Sequence, residues 1–201
     1  MLVRNIPIPP LMKNLEVDHR GYPKFFIGTE GKSGFNFIVN DQKRVFQCAK
    51  HDLCSLCGNK LHPGRWFVGG PLSAFCNGDS PTYFDPPMHF GCMRYAMQVC
   101  PYLAMPSYRR RRPLEKIAAD VGQLLVDHTV LPDRPPVFVA VQSMSHRCEL
   151  YGEKIRGFRF FPDLPFSKME FWLNGTRLPA KEGAKLAAEA IEKYTNGPAA
   201  R

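Results

Sequence analysis

The first twelve residues contain no apolar run long enough for a signal sequence or a membrane span, and carry three prolines instead. A soluble, cytoplasmic protein is therefore expected. An even complement of cysteines is also missing. There are seven, two of them in a metal-type pair, which argues against a disulfide framework and for a reducing compartment. A phosphate-binding loop is absent despite Thr29-Glu30-Gly31-Lys32-Ser33. A Walker loop would need Gly where Phe26 stands, and a helix where an apolar strand follows. The two halves of an RNA-recognition motif, echoed by Val137-Phe138-Val139 and Arg156-Gly157-Phe158-Arg159-Phe160, lack room between them for the helix and strand they require, so these aromatics are read as core. Ser143, Ser145, His146 and Cys148 lie close in sequence, but adjacency is no evidence for a catalytic triad. Acidic residues are short too: 18 against 27 Lys and Arg, for a formal charge of +9. Three metal-bound thiolates and a Zn²⁺ would lower that by only one, so an acidic partner is favoured, nucleic acid first.

What is present is an ordinary globular composition, 44% hydrophobic and 22% charged, in 201 residues, enough for a sizeable core. Its nineteen prolines imply long irregular connections. Two short motifs organise the rest. Cys54-Ser55-Leu56-Cys57 places two thiolates where a tight knuckle can direct both at one Zn²⁺, and Gly58 follows where such a turn commonly needs positive φ. His89-Phe90-Gly91-Cys92 places two more ligands three residues apart, on one face of a helix. The alternative, small buried cysteines and a satisfied surface histidine, would leave the coincidence of two correctly spaced pairs without a cause. Cys54, Cys57, His89 and Cys92 are thus the expected zinc ligands. Cys76, Cys100 and His62 are weaker substitutes because they are unpaired, and Cys48 and Cys148 read as core thiols.

Along the chain, residues 23–28 and 34–39 read as two strands of a hairpin. Asn40 or Asp41 caps a short helix through about residue 50, with Val45, Phe46, Ala49 and Leu53 on one side. Residues 65–68, the turn Gly69-Gly70-Pro71 and residues 72–75 suit a hairpin between the ligand pairs. Asp85 is expected to cap a helix through Val99, with Pro86 and Pro87 in its first turn and Pro101 as its stop. Knuckle, hairpin and ligand-bearing helix make a treble-clef-like zinc module. Arg109-Arg110-Arg111-Arg112 precedes an amphipathic helix over 113–128, where four cations at the positive end of the dipole are not helix stabilisation. They are either a solvated loop or a contact for phosphates or an acidic protein. In the C-terminal part, 137–141 reads as a strand covered on both faces and 157–161 as another. Residues 168–173 read as a third, burying Met169, Phe171 and Leu173 and exposing Lys168, Glu170 and Trp172. A helix over 179–195 follows. The expected fold is α+β: a zinc-binding region over 1–112, then an α+β region over 113–201, two units or one continuous domain.

Arg20-Gly21-Tyr22-Pro23, Leu53-Cys54-Ser55-Leu56-Cys57-Gly58, Phe67-Val68-Gly69-Gly70-Pro71, Pro86-Pro87-Met88-His89-Phe90-Gly91-Cys92 and Val99-Cys100-Pro101-Tyr102-Leu103 resemble stretches of a group of small, uncharacterised proteins of bacteria and their phages. Trp172 with Gly175-Thr176-Arg177-Leu178-Pro179-Ala180 is similar as well. The resemblance implies a metal site and a phage or bacterial origin, and no reaction. The run from Arg109 to Arg112 departs from that group.

Three functions suit these features. The first is a binding module whose arginine run meets nucleic acid or another acidic partner. The second is an accessory protein that binds and modulates a host protein. The third is a metal-dependent nuclease of the HNH kind, which needs a general-base histidine and further helix ligands. Only His62 stands between Cys57 and His89, too near the knuckle, while Arg94 and Gln98 take the exposed helix face. A non-enzymatic protein is expected.

Overall fold

The computed structural model describes residues 6–75, 80–107, 134–152 and 157–196. The elements in order are β1 (Gly28–Gly31), β2 (Gly34–Asn40), α1 (Gln42–His51), β3 (Arg65–Gly69), α2 (Pro71–Phe75), α3 (Phe90–Val99) and α4 (Pro101–Ala104). After them come β4 (Phe138–Ser143), β5 (His146–Tyr151), β6 (Gly157–Pro162), β7 (Lys168–Leu173), β8 (Thr176–Leu178) and α5 (Ala180–Asn196). The architecture is mixed, with small antiparallel sheets and packed helices, as expected.

A four-stranded antiparallel sheet in the order β3-β4-β7-β8 is the frame. Its inner strand β4 is the apolar run read from sequence, and Val139, Ala140 and Val141 are fully buried. Both faces are covered, so successive residues enter different cores. Trp66 on β3, Phe138 and Ala140 on β4 and Trp172 on β7 join one apolar cluster with the knuckle and α3. Phe67, Val139, Val141 and Phe171 join the other, with Val45, Tyr83, Phe160 and Ala187. The expectation that Trp172 is exposed is overturned by that second covering layer; the indole is 2% exposed. On α5, Ala187 and Ala190 are buried as anticipated.

Other local expectations change. Among the described residues no hairpin lies between the ligand pairs. Pro71–Phe75 is a short helix, and β3 pairs instead with β4, Phe67 opposite Val141. The first strand is not at 23–28 but at Gly28–Gly31, because the amides of Phe26 and Ile27 donate to the carbonyls of Leu56 and Ser55 in the knuckle. Helix α1 begins at Asp41, whose carboxylate accepts from the amides of Lys43 and Arg44. It buries Val45 and Cys48, while Phe46 lies exposed at its surface. Helix α3 starts at Phe90 and not at Asp85, because Met88 and Trp66 exchange a pair of backbone hydrogen bonds that hold the preceding segment extended. The helix expected over 113–128, the Arg109–Arg112 run and Cys76 lie outside the described residues.

Candidate metal centre

The knuckle is closed by its own backbone. The Gly58 amide donates to the Cys54 carbonyl at 2.9 Å, and the Cys54 amide to the Asn59 carbonyl at 2.8 Å. Gly58 has φ +72°, and a Cβ there would come within 2.8 Å of the Phe26 ring, so both conformation and space require glycine. The Ser55 amide donates to the Pro87 carbonyl at 3.1 Å, fastening the knuckle to the segment that precedes His89. His89 is the N-cap of α3 with extended backbone, and its carbonyl accepts the first helical bond from Met93 at 2.9 Å. Its side chain makes no capping bond. Cys92 follows in the first helical turn. Two local structures 31 residues apart in sequence are thereby brought face to face.

The thiol sulfurs of Cys54, Cys57 and Cys92 and a ring nitrogen of His89 all lie within 4.8 Å of one another. Cys54 and Cys92 are fully buried, and Cys57 and His89 are less than a tenth exposed. His89 Nδ1 stands 3.4 Å from Cys57 Sγ, while Nε2 is 3.0 Å from the Lys60 carbonyl. A carbonyl accepts only, so Nε2 carries the hydrogen, and Nδ1 is the nitrogen turned toward the sulfurs. The Lys60 carbonyl thus orients the ring so that Nδ1 can serve as a metal ligand once its proton leaves. Three soft sulfurs and an imidazole nitrogen, close enough to hold one ion and screened from water, are the donor types of a structural zinc site.

The electrostatics follow from crowding. Hydrogen bonds from Cys54 first, then Cys92, push the Cys57 thiol down, so a thiolate forms there readily. Cys54 and Cys57 push Cys92 up, because a second negative sulfur beside the first is unfavourable. The same thiols, Cys54 foremost, raise His89 to about 10. A divalent cation removes this conflict by accepting all four lone pairs at once.

All four expected ligands are therefore brought together. Neither His62 nor Cys100 belongs to the group. Cys100 caps the far end of α3, about 12 Å along the helix axis from Cys92. His62 is exposed, its ring 5.5 Å from that of His89. Cys48 is buried in the second cluster, with Cys148 packed against it.

Two polar features had no legible signal. One is the Lys60 carbonyl, a backbone group. The other is a chain in which Arg65 Nη2 donates to Asp52 at 2.8 Å and Arg65 Nη1 to His146 Nδ1 at 3.0 Å, joining α1, β3 and β5. Comparison of the chain with family models, characterised proteins and solved structures finds no match. Among the described residues no helix is long and apolar enough to cross a membrane.

Proposed function

We propose that this is a zinc-stabilised, non-enzymatic binding protein whose partner is acidic, with nucleic acid favoured over a host protein. The observation that carries the reading is the buried Cys54–Cys57–His89–Cys92 group. A site that uses all four tetrahedral positions for protein ligands leaves none for a reacting water, so its zinc is architectural. The ion would fasten the knuckle to the start of α3, the two parts shared with a treble clef; β3, paired with a distant strand, replaces the usual hairpin. The partner half of the proposal rests on the charge of +9 and the arginine run from Arg109 to Arg112. Reduced, metal-bound thiols suit the cytoplasm, and an accessory role in a bacterium or phage follows from the sequence resemblance alone.

The test is titration of labelled single-stranded and duplex DNA at two salt concentrations. Phosphate contacts make affinity fall steeply with salt, and replacing Arg109, Arg110, Arg111 and Arg112 by Ala should flatten that slope. Binding unaffected by salt, or no binding to either form, contradicts the reading.

A further inference from the structure

The exposed face of α1 has a composition that the metal centre does not use. Lys43, Phe46, Gln47, Lys50 and His51 follow one another at helical spacing, line a shallow groove of about 480 Å³, and point to solvent. Helix α1 contains no carboxylate. The two that flank it are occupied: Asp41 caps the helix and lies 3.8 Å from Arg44, and Asp52 pairs with Arg65. Arg44 is spent on the carbonyls of Phe26 and Gly28. Among the described residues Lys43 and Lys50 have no ion-pair partner.

Phe46 lies between the two lysines on the helix and begins an apolar strip that Phe158 continues. Phe46 is 48% exposed and Leu150 54% exposed. Phe158 joins them, its ring 5.9 Å from that of Phe46, and it sits opposite Leu150 in the β5–β6 ribbon, hence on the same face. Lys50 Nζ is 6.0 Å from the centre of the Phe46 ring. An exposed aromatic ring set between cations without ion-pair partners suits a flexible polyanion with stackable bases. An acidic peptide would use the lysines but has no general need of the ring.

We propose that the α1 face, with Phe46 as stacking platform and Lys43 and Lys50 as phosphate contacts, binds single-stranded nucleic acid. This rests on the reading of an acidic partner and assigns it a surface other than the Arg109–Arg112 run. The charge complementarity is local: among the described residues, two cations without ion-pair partners and a histidine surround an open aromatic on a helix that holds no carboxylate.

The experiment is fluorescence anisotropy of the metal-loaded full chain with a labelled 20-nucleotide oligothymidine, with polyglutamate of equal charge as competitor. Phe46→Ala should weaken binding on the order of tenfold and Phe46→Tyr, which keeps the ring, should not. Lys43→Gln with Lys50→Gln should reduce the salt slope by about 1.4. All three positions are exposed, and circular dichroism checks that the variants fold. If the oligonucleotide binds but only the Arg109–Arg112 replacement weakens it, the surface is wrong while the nucleic-acid reading stands. If polyglutamate competes equally and Phe46→Ala changes nothing, the face takes acidic protein and the proposal fails. If wild type binds no oligonucleotide, both readings fail.

Discussion

On one face of the β3-β4-β7-β8 sheet, packing gathers Trp66, Ala140 and Trp172 around cysteines, methionines and the metal centre. On the other it gathers Val139, Val141 and Phe171 against Tyr83, Phe160 and the α5 helix. Both cores share the same strands, and neighbouring residues of one strand belong to opposite cores. The difference lies in what closes each. The second core is held by area removed from water, which survives any change in metal supply. The first is drawn around four polar, ionisable ligands whose burial is favourable only when something satisfies them together. Removing the ion should therefore loosen one side of a sheet and spare the other.

The largest expected effect comes from the ligands. In small zinc modules the metal is worth about 10–16 kcal/mol near neutral pH. Cys57→Ser should abolish stoichiometric metal binding, and hydrogen exchange should show lost protection in α3 and the knuckle while β6 and α5 retain theirs. Uniform loss of protection would mean that the two cores fold as one unit and would break the comparison.

Adjacent residues sharpen it next. Phe171→Ala and Trp172→Ala should each cost about 3–5 kcal/mol in chemical denaturation, as large buried aromatics do. Only Trp172→Ala should also weaken retention of the ion against a chelator, since Trp172 alone faces the metal side. A smaller effect is expected at Gly183 on α5, where an added Cβ would lie 2.1 Å from the Phe171 Cβ. Alanine is the better helix former, yet the helix would have to lift from the sheet. Gly183→Ala should therefore destabilise by about 1–3 kcal/mol without altering metal content.

The smallest effect is a pH dependence at the seam between α1, β3 and β5. Burial lowers the His146 pKa, and the Arg65 guanidinium that donates to its Nδ1 lowers it further, opposed by Asp52 and Asp163. The unfolded chain then holds more protons than the folded one between the lowered value and the ordinary 6.5. Stability from this group is thus present above that window and declines as pH falls through it. Denaturation midpoints at pH 7.5 and 5.5 should differ less in His146→Gln than in the parent chain, with the metal-bound ligands contributing equally to both.

How much of this was legible depended on the range of the interactions involved. The knuckle and the His89–Cys92 pair are local, and their spacing alone located every member of the site. Asp41 as a cap and β4 as a doubly covered strand were legible for the same reason: the signal lies within a few consecutive residues. Errors arose where a distant partner decided the outcome. The strand at Arg65–Gly69 is recognisable, but its partner β4 lies some seventy residues on, so the local pattern makes 72–75 look like the other arm of a hairpin. Asp85 with two prolines has the form of a helix start, and only the Trp66–Met88 pairing delays the helix to Phe90. Trp172 alternates with Phe171, and alternation alone puts it outside because it cannot reveal that both faces are covered. The Lys60 carbonyl that orients His89 carries no residue signature at all.

The central claim is that one metal ion joins the knuckle to α3. Native mass spectrometry of the full chain, purified without added metal and washed with a weak chelator, tests it most directly. One zinc per chain, lost in Cys57→Ser and in His89→Ala, is the predicted result. A folded wild-type chain whose mass shows no bound metal would contradict the account.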